Sequence, residues 1–223
     1  MHIEVLVEDS SGGRLLGHLL PAVIGPQGEP HTWRVHSYKG VGRIPPGLQP
    51  GSDPTRRILL DQLPRLLRGY SKTQGIDAVL VVLDADTQEC ITFLRDLRSL
   101  AGTCAPALRT LFRLAIEEIE AWYLGDRTAL LAAYPHAKLQ LLDSYQQDSI
   151  CGTWERLADA IHVGGATAIL RTGWPLSGQI KHEWADRIGP LMDIERNVSP
   201  SFQKFRDGLR RLTKPEDAPS PSG

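Results

Sequence analysis

An α/β fold, with a mainly parallel sheet flanked by helices and a helical C-terminal extension, is what the sequence predicts. Three observations carry it. The stretch "DAVLVVLDAD" (Asp77 to Asp86) is apolar almost without a break, which suits a strand covered on both faces of a parallel sheet. Strand-like and helix-like stretches alternate through residues 1–126. Beyond that, residues 127–214 read as helices with polar interruptions, packed on the core.

The elements follow in order. "IEVLVE" (Ile3 to Glu8) is a first strand, and "DSSGG" (Asp9 to Gly13) reads as a turn. "RLLGHLLPAV" is a helix closed by Pro21, and "TWRVHSYKG" (Thr32 to Gly40) alternates as a second strand. The Gly/Pro-rich "GVGRIPPGLQPGSDP" is a loop ending in Asp53-Pro54, a cap followed by proline at the first helical position. The helix so opened runs through "TRRILLDQLPRLLRGY", with Pro64 as a kink site. After the third strand come a helix over residues 88–100, a strand from Arg109 to Glu117, and helix up to Pro135. "VGGAT" and "GWPLSG" read as turns; Ser199-Pro200 opens a last helix with Phe202, Phe205, Leu209 and Leu212 on one stripe. The Pro/Ser-rich residues 215–223 are expected to be a disordered tail.

Composition narrows the class. The chain has 223 residues, 41% hydrophobic and 23% charged, enough for one sizeable core. No apolar run approaches the roughly 20 residues that span a bilayer, and "MHIEVLVEDS" lacks the basic leader of a signal peptide. Cys90, Cys104 and Cys151 are odd in number and widely spaced, as expected of reduced thiols in a cytoplasmic protein. The net charge is −1, but basic stretches (residues 33–72 and 196–214) flank an acidic centre (residues 77–126). That distribution suits a cation site beside a surface for a polyanion, although solvated helix faces produce it too.

Three predicted strands end in acids: Glu8, then Asp84 with Asp86, then Glu117 and Glu118 with Glu120 close behind. In a parallel sheet such ends lie along one edge, where α/β sites form. Carboxylate oxygens are the preferred ligands of Mg²⁺ and Mn²⁺, and a cation relieves the repulsion between clustered acids. Asp84 and Asp86 face the same way if the chain stays extended. A D-x-D pair alone also fits sugar-nucleotide transferases, aspartyl phosphatases, or Asp86 acting as a helix cap. Gln88 stands where such a phosphatase carries a hydroxyl residue, and Glu8 on a separate strand favours the metal reading. Glu117 and Glu118 alternatively complement a helix dipole, and Asp126 caps the following helix. Ser199 and Ser201 form a cap pair or receive a phosphate. Among the seven histidines, only His182 merits attention.

Taken together, "VLVEDSSGGRLLGHLLP", "VLVVLDADTQEC", "AIEEIEAWYLGD", "TWERLADAI" and "GQIKHEWADRIGPLMDIERNVSPSFQKFRDGLRRL" resemble a bacterial domain-of-unknown-function family with a Toprim-like fold. The resemblance runs in order from Ile3 to about Leu212 and extends to the overcoming-lysogenization-defect nucleases. It implies Glu8, Asp84 and Asp86 as the Mg²⁺ (or Mn²⁺) ligands of a phosphodiester-cleaving site. Glu118 and Glu120 are candidates for a second ion or its surroundings, and Glu120 also for catalysis. Lys181 matches the lysine of the C-terminal block, and Asp9 stands where the family has glycine. The implied activity is a nuclease acting on DNA or RNA, in phage defence beside an ATPase partner. The alternatives are a non-catalytic partner subunit of an ATPase and a D-x-D sugar-nucleotide transferase.

Overall fold

The computed structural model describes residues 1–49, 54–173 and 176–214. Four strands, β1 (His2–Val7), β2 (Thr32–Ser37), β3 (Ala78–Asp84) and β4 (Arg109–Ala115), form one sheet in the order β2-β1-β3-β4, with every neighbouring pair parallel. The α/β class and the parallel sheet are therefore as the apolar strands predict. The chain steps outward from β1 to β2, then crosses back to lay β3 on the other side of β1. The strand order thus reverses between β1 and β3, and the crevice beyond the carboxyl ends of two such strands is where open α/β sheets hold ligands. Glu8 follows β1 and Asp84 ends β3.

Both faces of the sheet are covered, and the twofold alternation of the strands divides their side chains between two apolar layers. Ile3, Val5, Val7, Leu80 and Val82 face a layer that includes helix α1 (Ser10–Ile24) and the C-terminal helices. Leu6, Val79, Val81 and Leu83 face α2 (Leu59–Tyr70) and α3 (Cys90–Cys104). The first layer continues without interruption into α4 (Glu120–Leu124), α5 (Arg127–Ala133), α7 (Thr153–Ile161), α9 (Leu176–Ile188) and α10 (Pro200–Thr213). Short α6 (Leu139–Asp143) and α8 (Gly165–Thr172) complete the helical part.

Several boundaries differ from those expected. Asp9 to Gly13 is not a turn: α1 starts at Ser10 because the Asp9 carboxylate accepts from Gly12 N at 2.7 Å and caps the helix. Glycine is needed there for space, since a Cβ on Gly12 would meet Val7 at 2.8 Å. Pro21 does not close α1, which runs a turn further and buries Val23 and Ile24. Asp53 lies outside the described residues; α2 begins after Ile58 with no side-chain cap. Helix α3 starts at Cys90, capped by Glu89, whose carboxylate accepts from Ile91 N and Thr92 N. β4 stops at Ala115 because the chain turns at Glu117, whose φ of 59° is left-handed. Helix α8 begins at Gly165, inside the predicted "VGGAT" turn, and α9 at Leu176, inside "GWPLSG". Residues 215–223, the expected tail, lie outside the described residues.

The final helix is as expected. Ser199 Oγ accepts from Phe202 N, Pro200 occupies the first turn, and Phe202, Phe205, Leu209 and Leu212 are buried. Asp126 caps α5 through Ala129 N, as its place after Gly125 predicts.

Candidate functional site

Glu8 and Asp84 meet at the β1/β3 switch point. Asp84 N donates to Glu8 Oε2 at 3.2 Å, tying the carboxylate that follows one strand to the end of its neighbour. From the next element, Glu120 opens α4 and is almost wholly buried, at 1% exposure. Lys181, from α9, reaches it: Nζ lies 3.0 Å from Glu120 Oε1 and 5.8 Å from the Trp154 ring centre. Segments far apart in the chain thus bring Glu8, Asp84, Glu118, Glu120 and Lys181 into one electrostatic cluster.

The electrostatics are those of too many acids in too little water. Burial, with Asp86 and Asp9 nearby, pushes Glu8 up to about 7 against the hydrogen bond from Asp84 N and the pull of Lys181. Burial and the Glu8 and Glu120 carboxylates hold Asp84 well above the usual carboxylate range. Glu118 is raised to about 7 by burial and by Glu120. Burial opposes the Lys181 charge, yet Glu120, Glu118 and Asp84 more than offset it, so the ammonium is held charged. Lys181 is the positive centre around which the cluster is arranged.

Asp86 departs from expectation. Its φ of 46° is left-handed, so the chain is not extended through Asp86 and the condition for a shared face is not met. Asp86 N is hydrogen-bonded to Glu117 O and the residue is exposed. It stays within electrostatic reach of Glu8, and burial and Glu117 raise its own pKa. Nor does Asp86 cap α3, a role that Glu89 takes.

Glu117 is structural, though not as a first-turn helix acid. It reaches 34–36 residues along the chain to accept from Cys151 N, Gly152 N and Thr153 N at 2.9–3.0 Å, and from the Thr153 hydroxyl, so it holds the start of α7. Burial works against its charge, but these bonds outweigh it and its pKa falls. Glu118 likewise accepts from Trp154 N at 2.9 Å while remaining beside Glu120 and Lys181. Ser199 and Ser201 are engaged by Asp148, which accepts from the Ser199 hydroxyl and from Ser201 N, both at 2.7 Å, at the start of α10.

The sequence reading missed two features. His182 Nε2 lies 2.7 Å from Ser10 Oγ at the start of α1. With Lys39 and Lys181, the pair lines a cavity of about 620 Å³ that also touches Asp9 and Tyr38, next to the cluster. Only the adjacency of His182 to Lys181 hinted at this. Asp126, beyond its cap, is a buried anchor: it takes Arg196 Nε at 2.9 Å, Arg196 Nη2 at 3.0 Å and Asp193 N at 2.7 Å.

The donor set fits a hard divalent cation. It consists of carboxylate oxygens, and Glu120 Oε2 is buried without a hydrogen-bond partner, as is the hydroxyl of neighbouring Tyr123. Among the described residues, no three His, Cys, Asp or Glu side chains are placed as a ready ligand group for a metal ion. No helix of the described residues is long and apolar enough to cross a membrane. Comparisons of the chain with protein-family models, with curated proteins and with solved structures find no match.

Proposed function

We propose that the chain is a Mg²⁺-dependent (or Mn²⁺-dependent) nuclease of Toprim type that hydrolyses phosphodiester bonds in DNA or RNA. The observation that carries the reading is the convergence of Glu8, Asp84 and Glu120 with Lys181 at the sheet's switch point. Glu8, Asp84 and Glu120 would hold the ion, which when bound supplies Lewis-acid polarisation of a phosphate oxygen and a more acidic water. Glu118 lies behind them, pinned by Trp154 N.

The chain's own groups divide the rest of the work. Glu8, raised to about 7, must give up its proton to take an ion, so ion binding should strengthen as pH rises through that value. Lys181 neutralises charge that develops on the phosphate. Lys39 and His182 line the adjoining cavity on the side from which a polyanion would arrive. An ATPase partner in phage defence belongs to the same proposal through the family resemblance alone, and a cytoplasmic setting through the three free cysteines.

A non-catalytic partner subunit is the second reading, and the Glu120–Lys181 ion pair favours it, because it gives buried Glu120 a cation from the chain itself. The two part in one assay. Purified chain incubated with mixed DNA and RNA plus Mg²⁺ or Mn²⁺ should cleave at least one substrate, and Glu8→Gln should reduce the rate by about 100-fold or more. Cleavage that Glu8→Gln leaves unchanged would rule out this site. Absence of cleavage, with tight binding to an ATPase, would favour the second reading.

A further inference from the structure

A second cavity, of about 480 Å³, lies along β4 between α3 and α10. Four cations line it: Arg98 from α3, Arg113 from β4, and Lys204 and Arg211 from α10. Its walls are otherwise largely apolar, including Leu94, Phe112, Leu114 and Pro200. Asp148 is its one acidic lining residue, and both its oxygens are engaged by Ser199 and Ser201. Arg98, Lys204 and Arg211 have no ion-pair partner among the described residues. Gathered cations repel one another, and burial together with Arg211 and Arg98 lowers the Arg113 pKa.

The fold holds this cluster in place. Arg113 Nε donates to Lys204 O and Nη1 to Phe112 O, both at 2.7 Å, which fixes the guanidinium against α10. It fits only because residue 208 is glycine: a Cβ there would come within 1.8 Å of Arg113 Nη2. A surface arginine needs no such accommodation. The volume lies within the usual range of small-ligand sites, roughly 300–1,000 Å³, and favours a discrete ligand over an extended strand.

We propose that this cavity binds a nucleotide, its phosphates on Arg98, Lys204 and Arg211, with the fixed Arg113 charge behind them, and its base against the Leu94, Phe112 and Pro200 wall. Guanidinium groups take phosphate oxygens in bidentate fashion, and a flat base suits the apolar wall. The site is independent of the carboxylate cluster, so it stands or falls separately from the nuclease reading.

Calorimetric titration of the full chain with AMP, ATP, inorganic phosphate and a short single-stranded DNA, in EDTA, tests it. The expected result is saturable binding of AMP or ATP, weakened about tenfold or more by Arg98→Ala and by Arg211→Ala. Both residues are exposed, so neither change threatens the fold. Gly208→Ala should weaken binding with no charge removed, and Glu8→Gln should leave it intact. No nucleotide binding at about 1 mM, or binding indifferent to both arginine variants, would overturn the proposal. So would phosphate binding as tightly as AMP, which leaves a bare anion site, or DNA binding through these arginines where nucleotides fail.

Discussion

At the scale of single residues, the two aspartates of "DAD" have parted company. Asp84 is tied to Glu8 through its own backbone N–H and is raised by burial among carboxylates, whereas Asp86 sits exposed on a left-handed turn. Their substitutions should therefore differ. Asp84→Asn should reduce Mg²⁺-dependent cleavage by about 100-fold or more and Asp86→Asn by less than about tenfold, as single-turnover rates would show. Equal losses would place both aspartates on the reacting group. The raised pKa of Glu8 carries a second prediction. Its folded value, about 7, lies above its ordinary 4.5, so the folded state binds more protons than the unfolded one between those values. Stability from this group is thus highest below about 4.5 and falls as pH rises to about 7. In EDTA, melting temperature should fall across that window, and Glu8→Gln should flatten the profile. A Glu8→Gln profile parallel to the wild type would assign the slope elsewhere.

At the scale of elements, the helix ends tell why some residues were legible and others were not. Ser199-Pro200 and Gly125-Asp126 are local signals, and both cap as the sequence predicts. Glu117 read as a strand-end or first-turn acid because its partners, residues 151–153, cannot be found from local spacing. "DSSGG" reads as a turn by composition, yet Asp9 makes it a helix start, and with Asp9 extended at φ −138° no glycine is required at that position. Asp126 shows a local cap extended by distant partners, Asp193 and Arg196. Asp126→Ala leaves that guanidinium and two backbone N–H groups without their acceptor, and should cost about 2–3 kcal/mol, measurable as a lowered urea midpoint. A cost under about 0.5 kcal/mol would mean that the anchor is dispensable.

At the scale of the molecule, the sheet was legible because β3 is a short apolar run that burial on both faces explains and β2 alternates as a strand does. What the pattern did not reveal is the strand order, and it is the order that places Glu8 beside Asp84. The helical part is not an appendage: Phe202 of α10 meets Trp122 of α4 edge-on and Phe205 packs tilted against it, with ring centres 5.6 and 4.9 Å away, inside the layer that lines the sheet. Phe205→Ala should therefore destabilise the whole chain by about 3–5 kcal/mol in one cooperative transition. Two separated transitions, with the sheet surviving the first, would show that the C-terminal helices fold as an independent unit.

Divalent-ion binding by the carboxylate cluster is the claim on which the functional reading rests, and Mn²⁺ titration followed by electron paramagnetic resonance measures it directly. Saturable Mn²⁺ binding at neutral pH is expected, displaced by Mg²⁺, and lost in Glu8→Gln and Asp84→Asn while both variants keep the wild-type circular dichroism. Wild-type protein that binds no Mn²⁺, or variants that bind it as well as the wild type, would contradict the account and leave Lys181 as the only cation the cluster serves.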